Sequence, residues 1–297
     1  MENKFGNISR RDFVVNTAIG TAAVAIANDI ANSRLFAETS RTAPATMMGV
    51  PFEARDRVRL GIIGVGGRGT SLLRDLLAVD GVDVRAICDL VPEKVEHAQK
   101  MVTDAGQPKP AGFTKGDYDF KNLNQLDLDI VYIATPWSWR VPMAVDTMKN
   151  GKHAAVEVPA ATTLQECWDL VNTSQATRKH CIILENSCYG ESEMMVLQMV
   201  RGGALGEISH GEAAYLHDLQ SIVTANQGEG QWRRFPHMQR NGNLYPTHGL
   251  GPVARYMDIH RGDRAAAPSC QMSGCKCSQI ERQAPRSEHL RMLPVPA

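Results

Sequence analysis

Apolar residues fall into two alternating rhythms between residues 57 and 186. Short, nearly continuous apolar runs occur at RVRLGIIGV (57–65), VDVRAICD (82–89), LDIVYIATPW (128–137), KHAAVEVP (152–159) and CIILEN (181–186). Each is rich in β-branched residues, the pattern of strands buried on both faces. Between them lie segments with helical spacing: SLLRDLLAV, VEHAQKMVTDAG, Pro142 to Asn150, and TLQECWDLVNTSQATRK. Strands alternating with helices predict an α/β fold with a doubly wound parallel sheet. Ligands of such sheets bind at the carboxyl ends of the strands. Here those ends carry Asp89, a polar-aromatic loop from Thr135 to Arg140, Glu157 with Val158, and Asn186.

The rhythm changes after Tyr189. SEMMVLQMVRGGALG reads as a helix with a glycine-rich end, and GEISHGEAAYLHDL as a strand carrying His210, Glu212, Tyr215 and His217. A strand there predicts a partial, α+β open-sheet substrate domain over residues 187–264, after a nucleotide domain over 57–186. Arg240 to Pro252 reads RNGNLYPTHGLGP. Its density of Gly, Asn and Pro predicts a loop or broken turn, with Tyr245, Thr247 and His248 close together in it.

The first strand runs into Gly64-Val65-Gly66-Gly67-Arg68-Gly69, a GxGxxG pattern. A lone pattern of this kind is weak. Here a strand precedes it, a helix follows, and the second strand ends in the acidic Asp89, as a dinucleotide site requires. Glycines at Gly64, Gly66 and Gly69 let backbone approach a pyrophosphate, and the helix N-terminus faces its charge. Asp89 would accept from a ribose hydroxyl and repel a 2′-phosphate, so NAD is expected over NADP.

Composition adds limits. The 297 residues contain 32 Lys+Arg and 32 Asp+Glu, leaving no net charge to attract a polyanion. Basic residues do not cluster with aromatics, so nucleic acid is not an expected partner. Of the 7 cysteines, Cys88, Cys167, Cys181 and Cys188 lie in apolar segments and read as buried free thiols. Cys275 and Cys277 are too close for the usual CxxC pair.

The two ends differ from the middle. Ser9-Arg10-Arg11-Asp12-Phe13-Val14 precedes a mild apolar run, Val14 to Ala27. That run is shorter than the about 20 apolar residues of a membrane span, so no stable insertion is expected. Residues 1–37 therefore read as a twin-arginine signal, implying export to the periplasm, and residues 38–56 as a linker. Residues 265–297 show no period and read as an aberrant tail.

At this point the motifs resemble a family. The order of elements is similar to that of the Gfo/Idh/MocA oxidoreductases. GVGGRG, TPWSWR, EVPAATTLQECW, LENSCYG, HGEAAYLHDL and RNGNLYPTHGLGPVARYMDIHRGDR resemble glycoside hydrolase family 109, from about residue 57 to Arg264. That family comprises NAD-dependent α-N-acetylgalactosaminidases. The resemblance implies NAD contacts at Arg68, Gly69, Asp89, Trp137, Ser138, Trp139, Arg140, Glu157, Val158, Asn186 and the turn Tyr245-Pro246-Thr247-His248. It implies substrate contacts at Tyr215 and Tyr245. Dehydrogenases of the superfamily usually carry Glu-Lys-Pro where this chain has Glu157-Val158-Pro159, and Arg140 stands where family 109 more often has histidine. The implied mechanism oxidises the sugar C3 hydroxyl, so that the C2 proton becomes acidic and the C1 group can be eliminated. Water then adds at C1 and C3 is reduced again. The expected catalytic pair is His248, as base for the C3 hydroxyl, and Tyr245, positioning the sugar. The resemblance also implies that family members continue well past Arg264, so the tail reads as truncation or frame shift. The expected partner is a glycan or small-molecule substrate, with a homo-oligomer left open for full-length relatives. Two rival functions stay open: a net sugar dehydrogenase, and an inactive NAD-binding remnant.

Overall fold

The structure is a computed structural model describing residues 46–225, 230–240 and 242–259. The twin-arginine pattern, residues 38–45 of the linker, the CKC pair and the tail lie outside the described residues.

Six strands form one sheet: β1 (Val58–Ile63), β2 (Val82–Cys88), β3 (Ala111–Phe113), β4 (Ile130–Ile133), β5 (His153–Val156) and β6 (Cys181–Ile183). Their order is β3-β2-β1-β4-β5-β6, and every pairing is parallel. The order reverses at β1 and β4, whose diverging connections open a crevice at their carboxyl ends. The short β3, preceded by Pro108 and Pro110, is an addition to the strands expected from the sequence.

Helices cover both faces. Apolar residues of β1 and β2 alternate between two cores because successive side chains on a strand point to opposite faces. Ile62 and Ile87 join Leu73 of α1 (Gly67–Leu77) with Val95, Ala98 and Val102 of α2 (Pro92–Asp104). Ile63, Ala86 and Cys88 join the other core. There they meet Phe120 and Leu123 of α3 (Phe120–Leu123), Val141, Ala144 and Met148 of α4 (Trp137–Lys149), and Leu170 of α5 (Leu164–Thr177). A reciprocal capping box starts α5: Thr163 accepts from the Glu166 amide, while Glu166 accepts from the Thr163 amide. Both interactions satisfy donors that a helix start leaves unpaired.

Two expectations change here. The Thr135 to Arg140 segment is a loop only as far as Pro136; Trp137 to Arg140 form the first turn of α4, and Pro142 sits inside that helix. Pro142 is the sixth residue of α4, so it forgoes the amide bond to the Ser138 carbonyl instead of marking the helix start. RNGNLYPTHGLGP is likewise only partly a loop: α9 (Pro246–Tyr256) begins within it, with proline at its first position.

The second half lacks the expected strand. After β6 come a 3₁₀ turn (Asn186–Cys188), α6 (Glu191–Arg201), α7 (Gln220–Thr224), a second 3₁₀ turn (Gln231–Arg233), α8 (Arg234–Gln239) and α9. Residues 208–219 are irregular and pair with no strand among the described residues. A strand needs a ladder partner for its backbone groups, and apolar alternation cannot replace one. The thiols are free as expected, but only Cys88 and Cys188 are buried; Cys167 is exposed and Cys181 intermediate. Burial pushes the Cys88 thiol up to about 12, with Asp119 and Asp89 adding to the effect, so it stays protonated.

Candidate functional site

The carboxyl ends of the strands border a cavity of about 740 Å³, within the range of small-molecule and cofactor sites. Its near wall is the glycine turn. Gly64 adopts φ +86°, the left-handed region that suits glycine. A Cβ on Gly69 would lie 1.8 Å from the Gly64 carbonyl oxygen, so only glycine lets α1 sit this close to β1. No side chain caps α1 at Gly66. A helix N-terminus is the positive end of its dipole, which favours an anion.

Asp89 stands at the end of β2 on the same wall. One carboxylate oxygen accepts from the Val65 amide at 2.8 Å, the other from the Val91 amide at 3.0 Å. Each oxygen keeps acceptor capacity. The carboxylate thus ties the glycine turn to β2 and can still receive a sugar hydroxyl. A helix starting on a close-packed glycine turn, with a carboxylate acceptor one strand away, fits a dinucleotide carrying no 2′-phosphate.

Arg68 rises from the turn and pairs with Glu157, Nε to Oε1 at 2.6 Å; Arg68 is 41% exposed and Glu157 only 4%. The other Glu157 oxygen accepts from the Val158 amide at 3.0 Å. Arg140 has a bracing part besides the expected cofactor contact. It is buried and donates to the carbonyls of Thr135, Glu157 and Pro159 at 2.8–2.9 Å. It braces the ends of β4 and β5, although it also borders the cavity. Burial lowers its guanidinium to about 10, partly offset by Glu157, so it stays charged at neutral pH. Ser138 is exposed and Trp139 packs edge-on to Tyr118.

The far wall is aromatic. Trp137 and Tyr245 are buried, with ring centroids 5.4 Å apart, and Trp232 meets Trp137 at 5.1 Å. Tyr215 lies 5.9 Å from Tyr245 and 4.4 Å from the His248 ring. The Tyr245 hydroxyl and Trp137 Nε1 are buried without a protein partner. Buried polar atoms usually have one, and both residues belong to the aromatic cluster. Thr247 Oγ1 is also unpartnered. His217, given no role from the sequence, borders the cavity and bonds the Tyr215 hydroxyl at 2.8 Å.

His248 sits in the first turn of α9, its side chain only 9% exposed. Its Nδ1 lies 2.6 Å from Glu185 Oε1 and 3.2 Å from Ser187 Oγ. The sequence reading missed Glu185, which follows β6 inside the apolar run CIILEN. Two glycines bring α9 onto this corner. A Cβ on Gly251 would meet Cys188 Sγ at 2.8 Å and Glu185 Cγ at 3.2 Å, and one on Gly249 would meet Ala213 at 3.2 Å. Arg255 donates to the Cys188 carbonyl and Tyr256 to the Glu193 carbonyl, fixing the other end of the helix. The structure therefore brings Asp89, Glu157, Val158, Asn186, Tyr215, Tyr245 and His248 around one cavity. Gly69, Trp137, Pro246 and Thr247 do not border it; Trp137 lies behind the wall, packed on Tyr245 and Trp232.

Two family models match the chain. Residues 58–185 match the oxidoreductase family with an NAD-binding Rossmann fold, and residues 189–279 match the glycosyl hydrolase 109 C-terminal domain. The second match continues past Arg264, where the resemblance read from the sequence stops. A glycosyl hydrolase family 109 protein of Solibacter usitatus is 56% identical over 76% of this chain and 52% of its own length. One from Saccharopolyspora erythraea is 49% identical over 89% of this chain and 58% of its own. The chain thus spans little more than half of these relatives. Among solved structures, apo scyllo-inositol dehydrogenase from Lactobacillus casei superposes with a TM-score of 0.56 at 15% identity, over 69% of this chain and 56% of that one. Myo-inositol 2-dehydrogenase from Lactobacillus plantarum gives 0.55 at 18%, over 68% and 57%. At these identities the likeness is one of fold. With an NAD-binding Rossmann domain followed by the domain that marks the hydrolases, the chain belongs to glycoside hydrolase family 109, within the Gfo/Idh/MocA superfamily.

Proposed function

We propose that the site serves hydrolysis of terminal α-N-acetylgalactosamine by transient oxidation at C3. The observation that carries this reading is His248: a nearly buried histidine, held by a carboxylate, that borders the same cavity as the glycine turn and Asp89. Bound NAD would supply a hydride acceptor and later return the hydride, so no net redox change results. The chain's residues do the rest. The start of α1 and Asp89 hold the cofactor's pyrophosphate and ribose. Tyr215 and Tyr245 form an aromatic wall for the sugar ring, and the unpartnered Tyr245 hydroxyl offers a hydrogen bond to it. His248 takes the C3 hydroxyl proton, since an imidazole nitrogen can act as a general base. Val158 supports hydrolysis over net dehydrogenation, because it stands where superfamily dehydrogenases usually carry lysine. Delivery outside the cytoplasm, through the pattern at Ser9 to Val14, belongs to the same proposal.

The test incubates the chain with NAD and an aryl α-N-acetylgalactosaminide in deuterated water. The expected outcome is release of the aryl group, deuterium at C2 and no accumulating NADH. His248→Ala should lower turnover by roughly 10²–10⁴-fold, the range for a positioned acid–base group. NADH formed in step with substrate consumption would show a dehydrogenase instead. NAD binding without turnover would show a binding remnant.

A further inference from the structure

We infer that Glu185 is the positioning residue for His248, fixing the ring proton on Nδ1 so that Nε2 is the proton-accepting atom. The inference rests on the reading of His248 as the base. Glu185 does not border the cavity; it stands behind His248 at 2.6 Å, and its side chain is 5% exposed. An ionised carboxylate can only accept hydrogen bonds. Nδ1 facing Glu185 Oε1 must therefore carry hydrogen, and Ser187 Oγ at 3.2 Å can act as a second acceptor. That leaves Nε2 with its lone pair, and Nε2 bonds to none of the described residues.

A structural explanation of Glu185 covers only part of this arrangement. The carboxylate does cap the 3₁₀ turn, with Oε1 accepting from the Ser187 amide at 3.0 Å. An asparagine or serine could do the same. Glu185 Oε2 is buried with no partner, a costly arrangement for a residue kept only as a cap. Gly251 also leaves just enough room for the Glu185 side chain beneath α9. The close approach of helix to carboxylate is built into both sides of the contact.

Imidazole ¹⁵N shifts of the full chain, loaded with NAD, test the inference near pH 8. His248 is assigned by its absence in His248→Ala. The expected wild-type state is protonated Nδ1 and unprotonated Nε2. Glu185→Asp should keep that tautomer, because an acceptor-only group remains. Glu185→Gln should mix the two tautomers, since its amide can turn either a donor or an acceptor toward Nδ1. Ser187→Ala should change nothing. Where substrate turns over, Glu185→Gln should lower kcat by roughly 10–10²-fold, as for carboxylate partners of other functional histidines, with KM and NAD affinity nearly unchanged and Glu185→Asp restoring part of the loss. A wild-type ring protonated on Nε2, or a tautomer that Glu185→Gln leaves unaltered, overturns the inference. If Glu185→Gln fails to fold, the wild-type tautomer and its persistence in Glu185→Asp decide. Absence of turnover in the wild type counts against the proposed function alone, because the tautomer is read without substrate.

Discussion

Gly69→Ala perturbs the site through a single methyl group. The added Cβ would lie 1.8 Å from the Gly64 carbonyl oxygen and 2.8 Å from its carbon. Ordinary contact is about 3.5 Å, so the new atom must be relieved of an overlap well above 1 Å. Both obstacles are backbone, so no rotamer change can help. Gly64 cannot retreat freely, because the Ala134 backbone crowds it: a Cβ built on Gly64 would lie 2.9 Å from the Ala134 carbonyl oxygen. Either α1 shifts off β1 or the turn unwinds. Overpacking costs about 1–3 kcal/mol when side chains can adjust; with backbone on both sides the upper end, about 3 kcal/mol, applies. For a domain of this size that lowers Tm by roughly 6–12 °C. The amides at the start of α1 move with the helix, so NAD affinity should fall at least about tenfold, which corresponds to about 1.4 kcal/mol. Thermal unfolding by circular dichroism gives the first quantity and calorimetry with NAD the second. A variant melting within about 2 °C of the parent, with unchanged affinity, would refute the close-packing argument.

Two further predictions concern single charged or titrating groups. Asp89→Ala removes the acceptor for ribose and unties Val65 from β2; charge-assisted bonds contribute about 1.5–3 kcal/mol each, so NAD affinity should fall by at least tenfold, and equal binding isotherms would remove Asp89 from the cofactor site. His153 accepts from the His180 amide through Nδ1 at 2.9 Å, which requires a bare nitrogen. Burial, then Lys179 and His180, lowers its titration to about 4. The unfolded ring, at about 6.5, binds its proton first, so the stability this residue gives is complete above about pH 6.5 and is lost as pH falls toward 4. Solvent screening of the half-buried ring limits the effect to about 1 kcal/mol. Urea midpoints at pH 7 and pH 4.5 should differ more for the parent than for His153→Gln, and an equal difference would contradict the assignment.

The nucleotide half was legible because each of its features is local. Ile62 and Ile63 lie in one apolar run, Gly64 to Gly69 in one turn, and Asp89 ends the next run. The misreadings came from residues with two uses. Pro142 suggested a helix start but lies inside α4. Gly249 and Gly251 suggested a loop, yet they let α9 pack against Ala213 and Glu185. Pro246, at the first position of that helix, was the overlooked signal. The alternation around Tyr215 suggested a strand, but strand formation depends on a partner elsewhere in the chain. Glu185 had no local signal. Its role depends on His248, 63 residues away, and nothing in CIILEN distinguishes a charged residue ending a strand from one holding a histidine. Arg140 was expected at the cofactor and does border the cavity; its donation to three carbonyls, a bracing part, had no local signal.

The segment leading into β1 attaches at the opposite end of the sheet from the cavity. Phe52 packs on His153 and His180, with ring centroids 5.0 and 4.0 Å away, and Arg55 pairs with Asp129 at 3.3 Å. His153 begins β5 and Asp129 immediately precedes β4. Six residues of β1 separate these anchors from the glycine turn, about 20 Å at strand rise. A fluorophore joined through Glu53, whose side chain is 75% exposed, would thus report docking of this strap without crowding the cavity. Immobilising the protein by the same residue would present the cavity outward to an applied glycan, an orientation that suits surface-based binding measurements.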